Sequence, residues 1–379
     1  MQKKELHIVY IITKLELGGA QKVCLALFNG LTQSGHTALL ISGAQGALVE
    51  KVQHNSFVYL LPTLTREITL NGFYNEFKNF IQLTTHLKKL KKEYPNLIVH
   101  THSTKAGLIG RWAGFFAGIK NRIHTVHGYA FHPHQNKIIW LGIYSLELLT
   151  SLITSHFICV SSADMHTGVK LFPNFKKKYS IIRAAIDWDT FQPQEPAIIS
   201  NEKNKFVIGT IACFKKQKNL TDLIQAFNKA YKENKSLRLE IIGDGILRPE
   251  LEQLIQSYHL TDVVILHGWQ NNVAPLMLSW NAFALTSLWE GLPCALVEAR
   301  LLKLPVLSYN TGGIHDVIID GKNGFIYKQK DWQSLAQGIL KISTNKELYQ
   351  KLRNYPENLT DFNNRTMVKK HINLYSQLF

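Results

Sequence analysis

Two carboxylates eight positions apart, Glu290 and Glu298, flank a Gly-Leu-Pro turn in residues 286–299, which read Thr-Ser-Leu-Trp-Glu-Gly-Leu-Pro-Cys-Ala-Leu-Val-Glu-Ala. An ionised carboxylate is an acceptor that can take hydrogen bonds from hydroxyl groups. An apolar run ends at the turn and a helix is expected to open there. Pro293 suits the first helical position, where its missing N–H would be unpaired anyway. If 290–298 is mostly helical, the two carboxylates stand about 12 Å apart along the axis, at ~1.5 Å per residue. That span suits the two ends of a nucleotide-sugar, one carboxylate for sugar hydroxyls and the other for ribose hydroxyls.

Cations and glycine turns accompany this pair. Lys218 closes the run Lys215-Lys216-Gln217-Lys218-Asn219, directly after a strand-like segment. Thr311-Gly312-Gly313 follows another apolar run and is expected to open a helix at Ile314. Small residues there would let the backbone approach a diphosphate, and a helix start presents unpaired N–H groups to it. Ile242-Gly243-Asp244-Gly245 and His267-Gly268-Trp269 each follow a strand-like run. The first is a common turn composition, and the second offers Trp269 for stacking on a base or for packing. In the N-terminal half, Gly18-Gly19, His100-Thr101-His102 and His124-Thr125-Val126-His127-Gly128 lie where strands end. His132-Pro133-His134 has no cysteine or carboxylate to complete a metal set, so no metal site is expected. Asp187-Trp188-Asp189 reads as a structural turn.

These residues need strand ends to hold them. Apolar runs at 6–12, 37–42, 57–61, 97–100, 122–126, 156–160 and 179–183 alternate with helical stretches, including 22–33, 76–93 and 105–118. Such alternation argues for a mainly parallel sheet. Residues 187–205, with Pro193 and Pro196 and no periodicity, read as a linker. A second alternation follows, with strands at 206–210, 238–242, 263–266, 282–286, 305–309 and 324–326. Its helices are 220–233, 248–259, 293–303 and 332–342. The expected class is α/β, with two Rossmann-like domains (1–186 and 206–360) facing each other across a cleft. A last helix, 361–379, would return to the N-terminal domain. The longest apolar stretch, 138–160, reads as a buried helix followed by a strand, because Glu147 and His156 interrupt it.

The 379 residues suffice for two domains. An apolar share of 45% with 18% charged residues excludes a largely disordered chain. Of the formal net charge of +16, residues 1–190 hold +11 (21 Lys/Arg against 10 Asp/Glu). This favours an anionic partner: nucleic acid, an anionic membrane surface or a phosphate-bearing substrate. No aromatic-interleaved RNA or DNA module is present, so nucleic acid is not an expected partner. Four cysteines in no paired spacing (Cys24, Cys159, Cys213 and Cys294) read as reduced, mostly buried thiols. With no signal-peptide core at the start, the chain is expected to be cytoplasmic.

In this order, the motifs of 206–326 resemble those of retaining GT-B glycosyltransferases of family 4, whose Glu-x7-Glu signature fits Glu290 and Glu298. Asp320-Gly321-Lys322-Asn323-Gly324-Phe325 resembles the family's C-terminal signature. The resemblance implies transfer of a sugar from a nucleotide-sugar, preferably a UDP-sugar, with no cofactor or metal. It implies donor binding by the C-terminal domain at Lys218, Gly243, Trp269, Gly291, Leu292, Glu298, Gly312 and Gly313, with Gly19 from the N-terminal glycine loop. Catalytic roles would fall to Glu290, His127 and Lys218. The N-terminal domain would take the acceptor, a glycan or polyprenyl-diphosphate-linked saccharide of bacterial surface polysaccharides, with its basic face against the inner face of the cytoplasmic membrane. One departure stands out. The family's usual arginine is Cys213 here, so a second cation must come from Lys215, Lys216 or elsewhere. A sugar-nucleotide epimerase of the same fold and a non-catalytic sugar-nucleotide- or polyanion-binding protein are the competing readings.

Overall fold

A computed structural model describes residues 5–65, 72–191 and 205–378. The chain forms two compact units: Met1–Ile186 together with Thr360–Phe379, and Asp187–Leu359. Most of the expected linker (192–204) lies outside the described residues.

In the first unit the short apolar runs become seven parallel strands: β1 (His7–Ile12), β2 (Thr37–Gly43), β3 (Val58–Leu61), β4 (Ile98–His102), β5 (Arg122–Val126), β6 (His156–Cys159) and β7 (Tyr179–Ile181). Five helices connect them: α1 (Gly19–Gln33), α2 (Gly72–Glu93), α3 (Thr104–Phe116), α4 (Lys137–Ile153) and α5 (Ser162–Leu171). The strand order is 3-2-1-4-5-6-7. A parallel strand covered on both faces needs continuous apolar sequence, and Ile8 to Ile12 of β1 are fully buried.

The second unit repeats the scheme with β8 (Phe206–Ile211), β9 (Leu237–Ile242), β10 (Val264–Gly268), β11 (Ala282–Leu285), β12 (Val306–Tyr309) and β13 (Gly324–Tyr327), in the order 10-9-8-11-12-13. Its helices are α6 (Leu220–Glu233), α7 (Arg248–Ser257), α8 (Ala274–Leu278), α9 (Cys294–Leu301), α10 (Trp332–Thr344) and α11 (Lys346–Arg353). Gly209 of β8 makes room for a large core side chain, because a Cβ there would lie 1.9 Å from the Trp280 ring. Helix α12 (Asn364–Gln377) belongs to the first unit, where Tyr375 hydrogen-bonds both Tyr10 and His100.

The apolar stretch at 138–160 does form a helix and a strand, but the helix is not buried. One side of α4 faces the protein through Glu147, Thr150 and Ser151, with Glu147 paired to the fully buried Arg111 at 2.8 Å. The aliphatic side faces outward. Apolarity in a sequence records a preference for leaving water and cannot say whether this chain supplies the cover. Cys24 and Cys159 are buried, whereas Cys213 and Cys294 are half-buried, and none of the four is in a disulfide.

Candidate active site

In a doubly wound sheet, ligand crevices open beyond the carboxyl ends of the strands where the strand order reverses. In the second unit that point lies between β8 and β11. The loop after β8 turns through a short 3-10 helix, Lys216–Lys218, and the loop after β11 carries Glu290. The two loops are tied together. Lys218 Nζ lies 2.5 Å from Glu290 Oε1, and both side chains are largely buried. Leu288 N donates to Gln217 O (2.8 Å), Gln217 Nε2 to Trp289 O (2.7 Å) and Thr286 Oγ1 to Lys218 O (3.0 Å).

The loop after β12 closes on the same place. Gly312 has φ +48°, and a Cβ there would stand 2.2 Å from Glu290 O. Only glycine meets both conditions. Gly313 N donates to Gly291 O at 2.6 Å. Gln329 Nε2 spans the two loops, donating to Leu288 O and Asn310 O. Residues 218, 290, 291, 312 and 313 therefore form one cluster.

Two sequence expectations are corrected here. Helix α9 begins at Cys294, and Pro293 is its extended N-cap (ψ 104°), not its first helical residue. Residues 290–293 are not helical, so the 12 Å spacing derived from a continuous helix does not hold. Residues Gly312–Asp316 form a five-residue 3-10 helix with non-helical angles at Gly313. This segment therefore offers no α-helix start, and the Gly313 N–H is already taken. Fixed positive charge at this switch point therefore rests more heavily on Lys218.

Gly243 also needs its glycine. Its φ is +128°, a Cβ would lie 2.0 Å from Ala212 O, and its N–H donates to Gly268 O. This ties the loop after β9 to Gly268, beside the half-exposed Trp269. Arg248, just beyond, is held by Asp244 (3.0 Å) and Glu252 (2.8 Å). Leu292 and Glu298 are buried. Asp187-Trp188-Asp189 is a turn in which Asp189 N donates to Asp187 Oδ1. Among the described residues no cluster of three or more His, Cys, Asp or Glu could hold a metal ion.

The first unit reverses its strand order between β1 and β4. Gly19 is exposed at the start of α1, after β1. Thr13 Oγ1 and Ser103 Oγ, from the two loops, share a hydrogen bond of 2.7 Å. Ser103 has φ +63° and ψ 155°, a conformation costing about 1–3 kcal/mol for a non-glycine residue. Next to it lies a histidine network. His102 Nδ1 is 2.9 Å from His127 Nε2, and His100 bonds Tyr375 and Thr125. His102 Nε2 is buried with no partner. A neutral ring avoids a buried, unpaired N–H by keeping its proton on Nδ1. His102 then donates to His127 Nε2, which leaves His127 an Nδ1–H donor.

Burial pushes these imidazoles toward the neutral form: His127 to about 3, His371 to about 4, and His100, His102 and His124 well below the ordinary value. A histidine whose pKa is lower folded than unfolded binds fewer protons in the native state, so its stabilising contribution is present above pH ~6.5 and lost on acidification. For His127 and His371 the expected loss between pH 6.5 and 5 is about 1.5 kcal/mol each. Calorimetry across that range should show the first unit's melting point falling with pH and levelling off above 7.

Residues 191–358 match the family model for group 1 glycosyl transferases, and residues 17–189 match that for glycosyltransferase family 4. The chain belongs to the group 1 glycosyltransferases. It is 29% identical over 353 residues to UDP-Gal:alpha-D-GlcNAc-diphosphoundecaprenol alpha-1,3-galactosyltransferase of Escherichia coli, covering 91% of this chain and 89% of that one. N-acetyl-alpha-D-glucosaminyl L-malate synthase of Bacillus anthracis is 26% identical over 348 residues (89% and 87% covered). Among solved structures, Anabaena HepE in complex with UDP-glucose superposes with a TM-score of 0.81 at 19% identity, covering 98% of this chain and all of that one. Sucrose-phosphate synthase of Thermosynechococcus elongatus also reaches 0.81, at 18% identity and 98% and 99% coverage. The fold is α/β of the GT-B type.

Sequence reasoning missed one support of this glycosyltransferase's site. Arg300, fully buried on α9 two residues after Glu298, binds Glu357 Oε1 through Nε (2.9 Å) and Nη2 (2.5 Å). Asn323 Nδ2 donates to Glu357 Oε2 at 2.8 Å, which fixes Asn323 of the Asp-Gly-Lys-Asn-Gly-Phe motif against α9. Arg300 stands out only as a charge inside an apolar helix. Glu357 carries no local sign at all.

Proposed function

We propose that this glycosyltransferase moves a hexosyl or N-acetylhexosaminyl group from a UDP-sugar to a glycan or polyprenyl-diphosphate-linked saccharide in bacterial surface-polysaccharide synthesis. Transfer retains the anomeric configuration, needs no metal ion and takes place at the inner face of the cytoplasmic membrane. The observation that carries the reading is the meeting of Lys218 and Glu290 at the switch point, with Gly312 packed against the Glu290 backbone. The E. coli relative supports the UDP-sugar and the lipid-diphosphate acceptor, since its name states both.

When the C1–O bond to the diphosphate breaks, negative charge develops on the leaving phosphate. Lys218 stabilises it from a fixed position, the kind of preorganised charge that dominates catalysis in a partly dry site. Glu290 orients the transferring sugar, Glu298 binds the ribose hydroxyls, and His127 donates its Nδ1–H to a sugar oxygen. The acceptor hydroxyl attacks C1 from the face the diphosphate leaves, and its proton passes to a phosphate oxygen of UDP. Configuration is thereby kept without a covalent enzyme intermediate.

A thermal-shift panel of UDP-, GDP-, ADP- and dTDP-sugars, with and without EDTA, tests the donor site. A ligand at about 100 times its dissociation constant adds ~2.7 kcal/mol of stability. Stabilisation by UDP-sugars alone, unchanged by EDTA and lost in Glu298→Ala, is the expected result. Equal stabilisation of Glu298→Ala would remove that residue from the site. Release of an altered sugar-nucleotide without any acceptor would identify an epimerase instead.

A further inference from the structure

The outward face of α4 is apolar along its whole length. Ile138, Ile139, Leu141, Leu146, Leu149 and Leu152 are each more than half exposed, Ile138 by 80%. Single exposed aliphatics are ordinary, but six on one helix of 17 residues form a contiguous surface that marks an interaction site. The helix's one acid, Glu147, is turned inward against Arg111. Trp112 Nε1 donates to Thr150 Oγ1, and Trp112 stacks on the exposed Phe116, so the end of α3 continues the surface.

Both ends of this ridge are basic. Lys137 opens the helix. At the other end Lys178 Nζ donates to Ser151 O and Thr154 O, placing the exposed Lys176 and Lys177 beside it. Arg122 Nε donates to Ile153 O, two residues beyond the exposed Lys120.

We propose that α4 is a membrane-docking helix, its aliphatic face inserted among the acyl chains of an anionic bilayer and its basic ends on lipid phosphates. At about 25 Å it is long enough to lie along the interface. No helix among the described residues is long and apolar enough to cross a membrane. Charge decides between lipid and a second copy of the chain. Two such faces, paired in either direction, would set basic ends against basic ends, whereas anionic lipid complements them. The inference deepens the lipid-linked acceptor reading and rests on it for its purpose, though not for its geometry.

The test is flotation of the full chain with phosphatidylcholine vesicles, with and without phosphatidylglycerol, in the absence of donor and acceptor. Phosphatidylglycerol vesicles should carry the protein up. Leu149→Glu/Leu152→Glu should weaken partitioning at least about tenfold, since each change replaces an apolar side chain that would be buried among acyl chains by a charge. Unchanged circular dichroism and UDP-sugar stabilisation would show that this variant is folded. Wild-type partitioning by the variant, or loss of all binding in high salt, would overturn insertion. So would a wild-type dimer in light scattering that the variant converts to a monomer. Vesicle binding without glycosyl transfer would leave the docking face standing and sink the acceptor reading. Transfer to a lipid-linked acceptor by a chain that binds no vesicle would do the reverse.

Discussion

Lys218→Ala is expected to lower kcat by about 10²–10³-fold, the usual cost of removing one fixed stabiliser of developing negative charge. The structure gives reasons to expect a value at the upper end. The Gly313 N–H, which could have shared the task, is bonded to Gly291 O, and Gly312–Asp316 is a short 3-10 helix, not an α-helix start. The ammonium has three N–H donors, of which Glu290 takes one, so two remain for phosphate oxygens while the ion pair persists. Lys218 can thus touch the leaving group and hold the sugar-orienting carboxylate together. Alanine would also strand Glu290 in a largely buried position, which makes stability a necessary control. In Lys218→Ala/Glu290→Gln no unpaired carboxylate remains, so stability should recover while activity does not. Lys218→Arg keeps the charge and should retain more turnover than alanine. Turnover of a UDP-sugar by Lys218→Ala within about threefold of wild type, far short of the expected loss, would move the catalytic charge elsewhere.

The sequence made the scaffold legible because parallel strands buried on both faces must be continuous apolar runs. Each run places its following loop at a sheet edge, which is why Lys218, Glu290 and Gly312 could be picked out separately. Their mutual contact was not legible. The motifs assign Lys218 and Glu290 to different parts of a ligand, and nothing in a linear pattern couples residues so far apart. The start of α9 was misjudged for a local reason, since proline is compatible with both the N-cap and the first helical turn. The face of α4 was misjudged for a global one, because burial depends on what packs against a helix. The histidine network escaped for the same reason as the ion pair. It joins Tyr10, His100, His102 and Tyr375 through helix α12, which returns from the far end of the chain to the first unit.

Glu357→Ala is expected to cost about 3–5 kcal/mol, the range for removing one partner of a buried ion pair. The remaining guanidinium of Arg300 would be fully buried with its Nη1 donating to Leu304 O at 2.7 Å, and Asn323 would lose its bond to the carboxylate. For a unit of this size each kcal/mol shifts the melting point by about 2–4 °C, so a fall of roughly 6–20 °C should appear by calorimetry. Desolvation makes the intact pair a poor source of net stability, so Arg300→Met/Glu357→Leu, which removes both charges, should regain most of the loss. The role in position is separable from the role in stability. Arg300 and Glu298 share α9, and Asn323 links that helix to the turn before β13. If the network sets where Glu298 stands, the double variant should melt near wild type yet need more UDP-sugar for half-maximal rate, with kcat less affected. Recovery of both stability and donor KM would reduce the network to packing. Failure to recover stability would mean that the charges hold α9 in a way that apolar side chains of similar volume do not.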